Sequence, residues 1–380
     1  MISPDKRILL LLPEAFEGSG GIQMYCRSLC LAAGRWAEQH NGSVSAIVLN
    51  DQAAPDPRYV NGGFRSFTRA GGSKIKFVRS YLTQIATCRP DLIVVAHVSL
   101  SPLALLSNGA TKASVIAYGI EVWRSLSLAQ RTALRKADQV LAISEHTRGE
   151  LLRRNRLQPE KVTLLPCSLD PHWLVDAVPQ MGSCTPPILL TVGRLMSDEA
   201  YKGVDSVIQS LPEVVREFGP VDYRVVGYGD DIPRLKEMAR QAGVSQYVTF
   251  AGRLSEMELR ELYRRCSLFV MPSEKEGFGI VFLEAMACAK PVIGGAHAGT
   301  LSVIDDNETG LLVNRLDVKG LSAAILRILK DDDVRIRFGS AGREKLLNRF
   351  TFKNFETGFH AFLDSHLVPR VKDRLKPQGV

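Results

Sequence analysis

Short apolar runs and stretches of helical periodicity alternate along the whole chain. In the first half, strand-like runs stand at 8–12, 44–49, 92–96, 114–118, 139–143 and 162–164. Between them apolar residues recur at helical spacing over 21–40, 73–87 and 144–155. Ser127 with Gln130 has the spacing of a capping box and opens another helix. A polar, proline-bearing stretch at 176–187 reads as a linker. The alternation then restarts, with strands at 188–192, 223–226, 248–251, 268–271 and 291–294. Helices are expected over 203–218, 231–242 and 279–288, after the Ser255/Glu258 cap, and twice more after Asp317. Parallel strands need crossover helices, so this order predicts an α/β protein with two Rossmann-like, doubly wound domains facing across a cleft.

Length and composition agree with that picture. A chain of 380 residues is about two domains long. The expected division is 1–178, 179–355, and a closing helix and tail at 356–380 that packs back toward the first domain. Hydrophobic residues make up 45% and charged residues 23%, as in soluble globular proteins. The apolar run from Ile8 to Leu12 is too short for a signal peptide or a membrane span, so a cytoplasmic location is expected. The seven cysteines form no metal-ligand spacing and read as buried free thiols in a reducing compartment.

Charge adds one asymmetry. Residues 1–180 hold 21 Lys+Arg against 14 Asp+Glu, which is +7 of the net +8. Arg65, Arg69, Lys74, Lys76 and Arg79 are the densest group, expected on a solvated helix face. Such a cluster also attracts an anionic acceptor or an anionic membrane surface. Aromatic residues are not interleaved with these charges as stacking platforms, which argues against nucleic acid.

The chemistry concentrates at strand ends. Glu276-Gly-Phe-Gly-Ile-Val-Phe-Leu-Glu284 follows a strand and runs into a helix. Gly277 and Gly279 let backbone approach a ligand, and amides at a helix start suit anionic or polyhydroxyl groups. Glu276 on the loop and Glu284 about two turns into the helix can each hold a pair of hydroxyls on one elongated ligand. Arg194 follows the strand at 188–192, and Lys202-Gly203 opens the next helix, which makes a plausible diphosphate clamp. Glu17-Gly-Ser-Gly-Gly21 resembles a phosphate loop without the P-loop lysine. Gly227-Tyr-Gly229 lacks the third glycine of a dinucleotide fingerprint, so bound NAD is not expected.

Taken together, these residues resemble glycosyltransferase family 4, whose members have the two-domain GT-B architecture. The resemblance rests on Gly193-Arg-Leu195, Tyr201-Lys-Gly203, Val225-Val-Gly-Tyr-Gly-Asp230 and Phe250-Ala-Gly-Arg253. It continues through Met271-Pro-Ser273, the run from Glu276 to Cys288, Gly294-Gly295 and Gly310-Leu-Leu-Val313. It implies that Arg194 and Lys202 bind the donor diphosphate. Glu276 and the amides of Gly277, Phe278, Gly279 and Ile280 would hold the transferred sugar, and Glu284 the ribose. Arg253 and Leu254 would border the base, and Gly20-Gly21 would lie near the donor phosphates. Tyr118-Gly119 stands where many members carry His-Gly, so the contact to the reacting sugar falls to Tyr118 or to His97 at the end of the preceding strand.

The implied activity is that of a retaining hexosyltransferase using GDP-mannose or UDP-glucose type donors. The implied acceptor is a glycan or a polyprenyl-diphosphate-linked glycan, in cell-surface polysaccharide assembly at the inner membrane face. The resemblance implies no cofactor and no metal. The only Asp-x-Asp, Asp331 to Asp333, reads as a solvated turn between late helices. A sugar phosphorylase, a nucleotide-sugar epimerase and a non-catalytic nucleotide-sugar sensor are the competing readings.

Overall fold

The computed structural model describes residues 5–18, 20–107, 109–176 and 185–368. The chain forms two units, one running to Ser168 and resuming at Phe352, the other Leu169–Thr351. Most of the expected linker, residues 177–184, lies outside the described residues.

The first unit is a parallel sheet of seven strands. They are β1 (Arg7–Leu12), β2 (Ser43–Val48), β3 (Phe64–Arg69), β4 (Leu92–Val95), β5 (Lys112–Ala117), β6 (Gln139–Ala142) and β7 (Val162–Leu164), in spatial order β3-β2-β1-β4-β5-β6-β7. Ile8 pairs with Val44 on one side and with Leu92 on the other, so β1 is central. A central parallel strand is covered on both faces, which is why Ile8–Leu12 is continuously apolar and buried. Strand β3 was not expected. Its sequence Phe-Arg-Ser-Phe-Thr-Arg is an edge pattern rather than an apolar run, and Arg65 and Arg69 sit on that strand instead of a helix face. Lys74, Lys76 and Arg79 do lie on a helix, Lys74–Cys88.

Among the described residues three helices, not two, follow Asp317: Val318–Lys330, Asp332–Arg349 and Phe352–Leu367. The last belongs to the first unit, against helix Gly21–Gln39. Phe352, Phe355, Phe359 and Phe362 recur at helical spacing and stack along its inner face. Phe355 meets Tyr25 edge-on at 5.1 Å, and the buried Trp36 donates its Nε1–H to Asp364 at 2.7 Å. Asp331–Asp333 is a helix start rather than a plain turn, since the Asp331 carboxylate accepts from the Val334 amide at 2.9 Å.

The second unit is a parallel sheet of six strands. They are β8 (Ile188–Val192), β9 (Asp222–Val226), β10 (Val248–Gly252), β11 (Leu268–Met271), β12 (Val292–Gly295) and β13 (Gly310–Val313), ordered β10-β9-β8-β11-β12-β13. Strand β13 also escaped the apolar pattern, being four residues that begin with glycine. Both expected capping boxes are formed, at Ser127/Gln130 and at Ser255/Glu258. Of the six described cysteines, all but Cys88 are buried. Among the described residues, no helix is long and apolar enough to cross a membrane.

Candidate active site

In a doubly wound sheet, strand order reverses at one point, and the loops after the two strands there part to opposite faces. The gap they leave at the carboxyl ends is where ligands bind. In the second unit that point lies between β8 and β11. Arg194 and Lys202 follow β8, and Glu276 follows β11, so topology brings the three expected residues to one edge.

Their side chains form a cluster around a residue that the sequence reading missed. Glu199 accepts an ion pair from Lys202 Nζ at 2.9 Å and a second from the Arg194 guanidinium. Lys202 is nearly covered, at 14% exposure, whereas Arg194 is 62% exposed. One carboxylate thus balances two cations. The half-buried Glu276 stands within their field. Burial raises its carboxyl above the usual range, Glu199 adds to this, and Lys202 and Arg194 oppose it. The two loops are tied by the Glu274 amide, which donates to the Tyr201 carbonyl at 2.9 Å. Glu199 was legible only as an acidic residue three positions before Lys202 on a helical turn.

Beyond Glu276 the chain turns through Gly279, whose φ of +98° only glycine adopts cheaply, and enters helix Ile280–Ala287. Phe278 is buried edge-on against Phe350 and pins the turn. Glu284 lies in the second turn of that helix and is buried. Tyr263 donates its hydroxyl to Glu284 Oε2 at 2.7 Å. Burial pushes the Glu284 carboxyl up to about 7 despite this bond; Asp170 and Glu256 push the same way, and Arg260 against.

Gly227 and Gly229 prove to be packing glycines. A Cβ on Gly227 would collide with the Gly193 carbonyl, and one on Gly229 with that of Leu195. Strand-like bonds, such as the Leu195 amide to the Tyr228 carbonyl at 2.8 Å, hold the Arg194 loop flat across them. Between them Tyr228 stays 42% exposed, and the Arg253 guanidinium lies 3.6 Å over its ring. Leu254 is half-buried beside this pair. Tyr228 was quoted in the sequence motif but given no role.

The first unit has its own reversal point, between β1 and β4. Gly20 and Gly21 are exposed at the start of helix Gly21–Gln39, with no side-chain cap on its amides. The loop before them is fixed by its own side chains. Buried Asp51 accepts from the Ala15, Phe16 and Glu17 amides, and Arg27 donates to the Ala15 and Gly18 carbonyls at 2.7 and 2.8 Å. His97 follows β4. Its Nδ1 accepts from the Ser99 amide at 3.0 Å, which leaves the proton on Nε2. Burial lowers its pKa, with Glu121 opposing. Tyr118 stacks on His97 at 6.0 Å but is buried, with its hydroxyl 3.8 Å from Cys26 Sγ. Among the described residues, no group of three or more metal-ligating side chains comes together.

Comparison with known proteins bears on both units. The family model described as Glycosyltransferase Family 4 matches residues 19–173, and that described as Glycosyl transferases group 1 matches 182–345. The chain is 30% identical, over 286 residues, to a GDP-mannose-dependent alpha-(1-6)-phosphatidylinositol monomannoside mannosyltransferase of Mycolicibacterium smegmatis. That match spans 69% of this chain and 74% of the relative. Among solved structures, a glycosyltransferase from Rickettsia africae superposes with a TM-score of 0.77 at 16% identity, covering 97% of this chain and all of the other. Sucrose-phosphate synthase from Thermosynechococcus elongatus gives 0.76 at 21% identity, covering 95% and 98%.

Proposed function

Because this chain belongs to glycosyltransferase family 4 and is a GT-B glycosyltransferase, we propose that it is a retaining hexosyltransferase using a nucleoside-diphosphate sugar. The single observation that carries this reading is the Arg194–Glu199–Lys202 cluster beside Glu276 at the β8/β11 reversal point. A departing nucleoside diphosphate needs fixed positive charge, and two cations held by one carboxylate supply it in place. The amides from Gly277 to Ile280 add partial positive charge at the start of their helix. The scheme therefore calls for no metal.

Glu276 binds hydroxyls of the transferred sugar and Glu284 those of the ribose. Arg253, Leu254 and the Tyr228 ring border the base. In the first unit, the Gly20 and Gly21 backbone is assigned to the donor phosphates. His97 Nε2–H serves the reacting sugar, and Tyr118 supports the His97 ring from behind. The acceptor hydroxyl attacks the anomeric carbon from the side the diphosphate leaves. The bond from that carbon to the phosphate oxygen breaks, the bond to the acceptor oxygen forms, and the acceptor's proton passes to the departing phosphate. Configuration is retained.

The named substrate of the mycobacterial relative favours GDP-mannose over UDP-glucose as donor, and a lipid-linked glycan as acceptor. Assembly of a cell-surface polysaccharide or glycolipid at the cytoplasmic membrane face follows from that acceptor. The test is a thermal-shift panel with GDP, UDP, ADP and their sugar conjugates in the presence of a chelator. Ligand at a hundredfold excess over its Kd should stabilise the fold by about 2.7 kcal/mol. Stabilisation by one base series, with donor breakdown that depends on an added acceptor, is the expected result. A flat panel overturns the donor site, and a product of inverted configuration overturns the mechanism.

A further inference from the structure

Helix Lys74–Cys88 is attached to the first unit by one face. Phe77 and Tyr81 are buried there, and the Tyr81 hydroxyl donates to the Leu103 carbonyl at 2.9 Å. A surface helix of this kind should turn a polar face outward. This one does not. Ile75, Val78, Leu82 and Ala86 recur at spacings of three and four along the outer side, beside Lys74 and Arg79. Ile75 is 82% exposed and Leu82 48%.

The charge around this stripe has one sign. From Pro57 to Pro90 the chain holds seven Lys or Arg and no Asp or Glu, with Arg58 paired to Asp56, against a net charge of +8 for all 380 residues. Lys74 and Lys76 occupy the first helical turn, where the helix dipole disfavours cations and no acidic residue compensates. Among the described residues Lys74, Lys76 and Arg79 take part in no ion pair, and Arg65 and Arg69 stand exposed on the edge strand β3. An unpaired positive helix start beside an exposed apolar stripe lacks an anionic, partly apolar counterpart.

We propose that this face docks the protein on an anionic lipid bilayer. Ile75, Val78 and Leu82 enter the boundary between headgroups and acyl chains. Lys74, Lys76, Arg79 and the β3 arginines lie at headgroup level, their stems covering apolar surface and their charges meeting lipid phosphates. A single-helix face whose apolar stripe is flanked by cations matches the headgroup–acyl boundary of an anionic bilayer. A second copy is disfavoured because it would set two sets of like positive charges against each other. The proposal rests on the lipid-linked acceptor of the preceding section for its purpose and specifies where the protein meets it.

The experiment is flotation of the full chain with vesicles of phosphatidylcholine alone or with one third phosphatidylglycerol. Wild type should float with the anionic vesicles only, and binding should weaken at least tenfold between low and high salt. Lys74→Gln/Lys76→Gln/Arg79→Gln should weaken binding at least tenfold. Ile75→Ser/Leu82→Ser should keep the salt-sensitive encounter but lose at least tenfold in affinity. All these positions are exposed, so an unchanged melting temperature shows that the variants fold. Wild type that stays with the soluble fraction, that self-associates through this face instead, or that binds as well without Ile75 and Leu82 overturns the proposal. Nucleotide stabilisation and transfer to a short water-soluble acceptor are read in parallel. Normal transfer without flotation removes the docking face and leaves the enzyme assignment. Flotation without nucleotide stabilisation does the reverse.

Discussion

The two reversal points share one topology and use their charged side chains differently. In the first unit, Asp51 and Arg27 are bonded to the backbone of the loop after β1, and Glu17 accepts from the Gln52 and Ala53 amides. In the second unit, Arg194, Lys202 and Glu199 are bonded mainly to one another, with Glu276 in their field. A side chain bonded to its own backbone is spent on shape. Ion pairs between side chains at an open loop can be exchanged for a charged ligand at little structural cost. The first unit's loop after β1 is thus held in shape by its own side chains, while the second unit keeps a charged cluster free to exchange partners.

Removing charge from the second cluster should have the largest effect. Arg194→Ala is expected to lower turnover by about 10²–10³, as for loss of a transition-state donor, with the melting temperature nearly unchanged. Steady-state kinetics check it, and near-normal turnover would remove Arg194 from the clamp. The matching change in the first unit should act the other way. Asp51→Ala withdraws a buried acceptor from three amides and should cost about 3 kcal/mol in chemical unfolding, while nucleotide affinity changes less than in the Arg194 variant. Equal losses of affinity in the two variants would end the contrast.

Glu284→Gln tests the second unit's buried carboxyl with a smaller effect. The folded chain raises this group from 4.5 to about 7 by burial, so it keeps its proton where the unfolded chain has lost it. The resulting stability is present at low pH and is lost as pH rises between 4.5 and about 7, by up to about 3 kcal/mol. The variant should lack that slope and so gain stability relative to wild type between pH 5 and pH 8. Its donor affinity should fall about tenfold with kcat little changed, because ribose contacts are alike in ground and transition states. Melting curves across pH and nucleotide titration read the two effects separately.

Much of this was legible in the order of residues. Fully covered central strands must be continuously apolar, so β1, β4, β8 and β11 announce themselves, and with them the loops that carry Arg194, Lys202, Glu276 and His97. Capping boxes are local, and Ser127/Gln130 and Ser255/Glu258 formed as spaced. The edge strand β3, the short β13 and the helix break near Phe350 were not legible, because edges and breaks depend on neighbours far along the chain. Nor could local pattern assign Glu199, whose meaning comes from two cations reaching it at once, or Tyr228, exposed only because two glycines let another loop lie flat beside it. The Tyr118 hydroxyl faces inward for the same kind of reason, since Tyr25 and Cys26 arrive from helix Gly21–Gln39. By itself the sequence determined element type, the alternation that makes two parallel sheets, and which loops hold the candidate residues, since each depends on periodicity or on residues a few positions apart. Tertiary structure alone decided which charges share a partner, which carboxyl is desolvated and which aromatic stays exposed, since burial and electrostatic coupling depend on distances through space.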